Sequence, residues 1–249
     1  MSIITDLPFY LIAIPAVLLY GMAKGGLGPA LGAIAVPALS MVINPIEAAA
    51  IFLPILCVMD IFAVWSFRKT YDIKHLKRIL PGGIVGIIVA SFLMGQLSAD
   101  AIRLVIGAIA VAFCLNYWIG SKRIKKKKGG LLSGWFWGAT AGFTSTQIHA
   151  GGPPIAVYLL PQNLDRKVLM GTMAMFFIVV NYLKLIPYTI LGAFDASNIM
   201  TSIVLMPLAP VGIKLGYLIL NRVSQKMIYR FLYIALFMSG TKLLYDAAF

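Results

Sequence analysis

Residues 21–29 read Gly-Met-Ala-Lys-Gly-Gly-Leu-Gly-Pro, one charge and four glycines set inside a chain that is otherwise apolar over long distances. What surrounds this run fixes its solvent. Of 249 residues, 61% are hydrophobic and only 12% charged, about half the charged fraction of a soluble domain. That leaves too little polar surface for a water-soluble globule, and mean hydropathy is +0.92. Segments 79–97 and 102–119 each approach the ~20 apolar residues that a bilayer core requires. Long apolar blocks, rather than short alternating ones, predict helices and not a barrel. The expected fold is an all-α polytopic membrane protein.

Much of the net charge of +13 is gathered in short loops. Arg68, Lys69, Lys74, Lys77 and Arg78 share one; Lys122, Arg123 and Lys125 to Lys128 share another. Basic loops between apolar spans follow the positive-inside rule, so the charge reads as topology and not as a nucleic-acid surface. Cys57 and Cys114 both fall inside apolar spans, with no CxxC or disulfide framework. Residues 1–6 lack the basic start of a cleaved signal peptide.

The run at 21–29 has an echo. Gly21 with Ile34-Ala35-Val36 recurs as Gly142 with Ile155-Ala156-Val157, at an offset of 121 that also sets Asp60 over Asn181. Pro81, Gly86, Ser98 and Ile102 match Pro207, Gly212, Ser224 and Ile228 at an offset of 126. A short insertion near 194–198 accounts for the slip. The chain is expected to be duplicated: a first repeat over 1–120, a basic cytoplasmic linker over 121–130, and a second repeat over 131–249.

Charge placement distinguishes parallel from inverted repeats. With loop 68–78 and the linker inside, the turns 98–101 and 195–198 fall outside. Segment 46–67 then starts outside, whereas its counterpart 168–192 starts inside near Arg166 and Lys167. The repeats are therefore expected to be inverted, with both termini outside. Each head, 7–43 and 131–161, is broken by a glycine-rich run, the second reading His149-Ala150-Gly151-Gly152-Pro153-Pro154. Arms of a dozen to sixteen residues are short for full spans. Each repeat is thus expected to be a broken, re-entrant helical hairpin followed by three transmembrane helices. Non-helical backbone at membrane depth belongs beside a protein-lined cavity, so opposed hairpin tips would frame a midplane site of the secondary-transporter kind.

Gly21-Met-Ala-Lys-Gly-Gly-Leu-Gly with Pro37, its echo from Thr144 to Pro154, the length and the duplication resemble the TauE/SafE family of sulfite-exporter-like membrane proteins. The resemblance covers nearly the whole chain. It implies transport of a small sulfur-containing anion such as sulfite or an organosulfonate across the inner membrane. The second tip departs from the glycine pattern of the first by carrying Gln147 and His149.

At the first tip, Lys24 among Gly25, Gly26 and Gly28 offers an ammonium beside exposed backbone N–H groups, a plausible anion site. A snorkelling lysine and glycines that merely permit close packing are the plain alternatives. At the second tip, Thr144, Ser145, Thr146, Gln147 and His149 are costly in lipid unless they face one another, water or a ligand, although Ser and Thr also bond back to the preceding turn. With Gly151 and Gly152 they complete the expected substrate-binding set. His149 could relay protons or simply be a fixed hydrogen-bonding residue. Asp60 and Asn181 lie mid-span, and Asp60 either carries a coupling proton or neutralises a buried lysine, with Lys184, Lys214 and Lys242 as candidates. No nucleophile–base pair, metal cluster or cofactor motif is legible, so neither an enzyme nor a cofactor or metal is expected. A non-transporting assembly protein and an importer of another small anion are the rival readings. Export would need no coupling ion, because an inside-negative potential favours anion exit by about 2.3 kcal/mol per charge per 100 mV.

Overall fold

The computed structural model describes every residue except 1–3, 5, 29–31, 33–34, 40–41, 44, 94–95, 97, 120–128 and 249. Most of the expected linker, Pro29 and the extreme termini lie outside the described residues. All the regular structure described is helical. Helix α1 (Leu7–Met22) runs on into a π turn (Ala23–Leu27), and α2 (Ala35–Leu39) is short. Then come α3 (Pro45–Phe67), α4 (Ile73–Phe92) and α5 (Ala99–Ile119). The second half has α6 (Leu131–Ile148), α7 (Gly152–Leu159) with a 3-10 turn to Gln162, and α8 (Arg166–Ile190). It closes with α9 (Ala196–Leu205), α10 (Leu208–Arg222) and α11 (Gln225–Ala248). Among the described residues, five helices are long and apolar enough to cross a membrane, or six with α9 and α10 taken as one. Large apolar side chains such as Leu11, Ile88, Phe92, Leu132, Ile186 and Ile190 stay exposed, as expected where lipid is the solvent.

Three of the few carboxylates serve as helix caps, since an acceptor at the N-cap satisfies the first free N–H groups. Asp72 accepts from Lys74 N and His75 N, Asp165 from Lys167 N, and Asp195 from Asn198 N.

Two elements differ from the sequence expectation. Segment 199–220 is not one straight span: α9 and α10 meet at 42° next to Pro207, which has no N–H to give the preceding turn. The first arm is also longer than expected. Lys24 and its glycines do not end α1 but continue it as the π turn, so Leu7–Leu27 runs 21 residues and could cross by itself.

The halves interlock. Helix α1 and the π turn pack on α10, while α6, the corresponding head, packs on α4. Helices α3 and α8 pack on each other, as do α5 and α11. Glycines set the closeness of these crossings. A Cβ on Gly21 would lie 2.8 Å from Gly212 Cα, and one on Gly86 would lie 2.0 Å from Ala139 O.

Helices α3 and α8 run antiparallel. Asp72, past the end of α3, donates its N–H to Thr172 near the start of α8 (2.8 Å). At the other end, Ala49, Leu53 and Cys57 of α3 cluster with Tyr188 of α8. One end of the bundle gathers the basic segments. There Arg78 donates to Gly129 O (2.5 Å), Gly129 N donates to Gln162 (3.0 Å), and Gln225 and Tyr229 donate to Leu164 O.

Candidate functional site

Both heads break in the same way. Gly28 has φ +90 and closes its turn by donating to Ala23 O (2.8 Å). His149, 121 positions later, has φ +55 and donates its backbone N–H to Thr144 O, the counterpart of Ala23. A non-glycine residue in the left-handed region costs about 1–2 kcal/mol and persists only where its surroundings demand it. His149 therefore occupies a position that glycine would fill more easily.

Next to these breaks runs a buried polar chain. Lys24 forms an ion pair with Asp60, and its Nζ is 3.5 Å from Leu56 O. The other oxygen of Asp60 accepts from Asn181 Nδ2 at 2.6 Å. Asn181 Oδ1 accepts from Lys184 Nζ at 3.3 Å, and Lys184 also donates to Ser145 Oγ at 3.2 Å. One turn on, Tyr188 donates its hydroxyl proton to Thr146 O (3.0 Å), with His149 Nδ1 3.4 Å away. Tyr188 has one proton, so Nδ1 is the donor to its oxygen. His149 Nε2 is buried and has no hydrogen-bond partner among the described residues. Lys24 also lies 5.8 Å from the Tyr20 ring and 5.9 Å from that of Phe177.

Lys24, Asp60, Asn181, Lys184 and Ser145 thus form one hydrogen-bonded chain, His149 meets Tyr188 one turn further along α8, and all are buried. The partner of Asp60 is Lys24, not Lys184, Lys214 or Lys242. Lys242 pairs with Asp246 instead. Lys214 stands apart, on the exposed side of α10 in a cleft with Arg68, Lys69 and Lys167.

Several other expected site residues do structural tasks. A Cβ on Gly25 would lie 2.2 Å from Ile213 O, and one on Gly26 2.5 Å from Gly216 O, so both glycines are spent on the crossing with α10. A Cβ on Gly151 would meet Ala141 O at 2.7 Å, and Gly152 is buried at the start of α7. Thr144 bonds to Thr140 O and Ala150 O, Thr146 to Gly142 O, and Gln147 reaches Ala90 O on α4.

Tyr188 and Phe177 were missed by sequence reading. A signal existed: Phe177, Asn181, Lys184 and Tyr188 share one face of α8 at helical spacing.

The void beside Lys24 and Asp60 holds about 10 Å³, bounded by Ala23, Met170, Met173 and Phe177. That is close to the smallest volume that takes one water, and less than any oxyanion needs. Among the described residues no group of three or more potential metal ligands occurs.

Residues 13–243 match the family described as Sulfite exporter TauE/SafE. The chain belongs to this family. Like other TauE/SafE members it is a multi-pass membrane protein of a transporter family, whose work implies a small anion and a lipid bilayer. No curated protein and no solved structure matches the chain.

Proposed function

We propose that the chain exports a small sulfur-containing oxyanion or organosulfonate, recognised near the membrane midplane between the two helix breaks by Lys184, Ser145 and His149. One observation carries this reading: Lys184 is fully buried and, among the described residues, has no carboxylate bonded to it, because Asp60 is taken by Lys24 and Asn181. An ammonium buried without a counter-ion is costly, and an arriving anion removes that cost. Ser145 Oγ adds a hydroxyl beside it. A protonated His149 would offer Nε2–H as a further donor. Lys24, first expected to hold the anion, has the supporting task of keeping Asp60 neutralised and aimed at Asn181.

The family match and the apolar helices support transport. Pseudo-twofold pairing supports the inverted repeat. The equivalent residues Asp60 and Asn181 bond to each other, and their helices run antiparallel, as an axis in the membrane plane requires. Between α5 and α11, Gly107 meets Gly240 and Cys114 meets Tyr233. Under the offset of 126 these two contacts exchange into each other, the signature of a twofold interface. The cramped void fits an occluded conformer, in which the breaks must part to admit an anion from either side. With the basic end cytoplasmic, the membrane potential drives exit.

The test is sulfite efflux from proteoliposomes. Lys184→Met should fold, since it removes a buried charge that has no opposite partner, and lose efflux. Parent-like efflux in this mutant sinks the reading.

A further inference from the structure

Four cations line one cleft of about 720 Å³: Arg68, Lys69, Lys167 and Lys214. None of them forms a salt bridge among the described residues. Phe62, Trp65 and Tyr217 complete the lining, and the Arg68 guanidinium lies 5.7 Å over the Trp65 ring. Arg68 and Lys69 lie in the turn just past the end of α3, and on α3 itself the lining residues Phe62, Trp65 and Ser66 fall at helical spacing on one face. Trp65 is 66% exposed there, while Asp60, Ala63 and Phe67 on the other side of α3 are buried. The cleft therefore opens outward and not toward the Lys24–Asp60 pair, which argues against a vestibule for the transported anion. Lys214 stands two turns inside the Arg222 end of α10, exposed at a depth where an unpaired ammonium is expensive.

We propose that this cleft binds the phosphate headgroup of an anionic phospholipid. Arg68, Lys69, Lys167 and Lys214 meet the phosphate, and Trp65 and Phe62 lie along the first acyl carbons. Basic pockets between membrane helices hold anionic headgroups in this way, and Trp at the same level marks the interface.

Quenching of Trp65 by brominated lipids tests the proposal, with Trp65→Phe subtracted to isolate its signal. In nanodiscs, brominated phosphatidylglycerol should quench Trp65 more than brominated phosphatidylcholine at equal mole fraction. Lys167→Gln with Lys214→Gln should weaken that preference roughly tenfold or more, while sulfite efflux in neutral lipid stays at the parent level. Should this pair fail to fold, Arg68→Gln with Lys69→Gln gives the same reading from the loop side. Free inorganic phosphate at millimolar concentration should leave the quenching unchanged. Equal quenching by the two lipids, or a preference that survives both variant pairs, overturns the proposal. Relief by free phosphate overturns it too, and makes the cleft a site for soluble anions.

Discussion

Asp60 and Asn181 occupy the same place in the two halves and hydrogen-bond to each other at 2.6 Å. Under the proposed duplication the two positions are equivalent, yet the pairing needs two different residue types. Two carboxylates there would repel, and two amides would leave Lys24 without a counter-charge. The Asp–Asn pair gives one acceptor to Lys24, and one carbonyl of the amide is left for Lys184.

Asp60→Asn should therefore be a folding defect before it is a transport defect. It leaves Lys24 buried and unpaired, a loss of about 3–5 kcal/mol when one member of a buried pair is removed. Thermal unfolding of purified protein should show a large drop in Tm. Lys24→Met combined with Asp60→Leu should recover much of it. A parent-like Tm in Asp60→Asn would mean that the ion pair contributes little.

Gly25→Ala should loosen the α1–α10 crossing, because the added methyl would lie 2.2 Å from Ile213 O. Overpacking of this kind costs about 1–3 kcal/mol. Gly130→Ala, with nothing among the described residues within 4 Å of its Cβ position, is the proper control. Gly107 is not, since a Cβ there would sit 2.7 Å from Gly240 O. Size-exclusion profiles after graded heating should separate Gly25→Ala from Gly130→Ala, and overlapping profiles would refute the packing role.

At His149 the backbone and the imidazole can be separated. His149→Gly accepts the left-handed φ without strain, so its Tm should match or exceed that of the parent, whereas His149→Val should lower it. If Nε2 contributes to anion recognition, His149→Gly will still show a raised KM for sulfite efflux. An unchanged KM would confine His149 to shaping the break.

Orientation is open to labelling. In a background lacking Cys57 and Cys114, cysteines at Ser98 and Asp195 should react with an impermeant maleimide added to intact cells. Cysteines at Lys74 and Gly130 should react only after the cells are opened. The reverse pattern, or mixed labelling within either pair, would undo the inverted topology.

Much of this was legible in the chain. Apolar block lengths gave the spans, and the offset of 121 matched Asp60 with Asn181 as counterparts, but not their hydrogen bond to each other. Partner choice was not legible. Lys24, Lys184, Lys214 and Lys242 are equivalent as letters, and only the π turn, which rotates Lys24 onto α3, selects it for Asp60. The glycines misled for a related reason. A glycine beside a ligand and a glycine beside a neighbouring backbone carry the same sequence signal, and only the structure shows that Gly25 and Gly26 lie against α10. Spacing along α8 could have revealed Tyr188, had its face been read for aromatic as well as polar residues.

The contact between Gly21 and Gly212 has a consequence for synthesis. Helix α1 leaves the ribosome long before α10, the helix it must pack against. Until α10 arrives, the backbone at Gly25 and Gly26 has no partner surface, although Lys24 can already meet Asp60 of α3. The nascent head must wait near the insertion machinery or at the water interface while the rest of the chain threads in. A truncated product ending before α10 would expose that head permanently, and so would be marked for proteolysis rather than tolerated as a half-transporter.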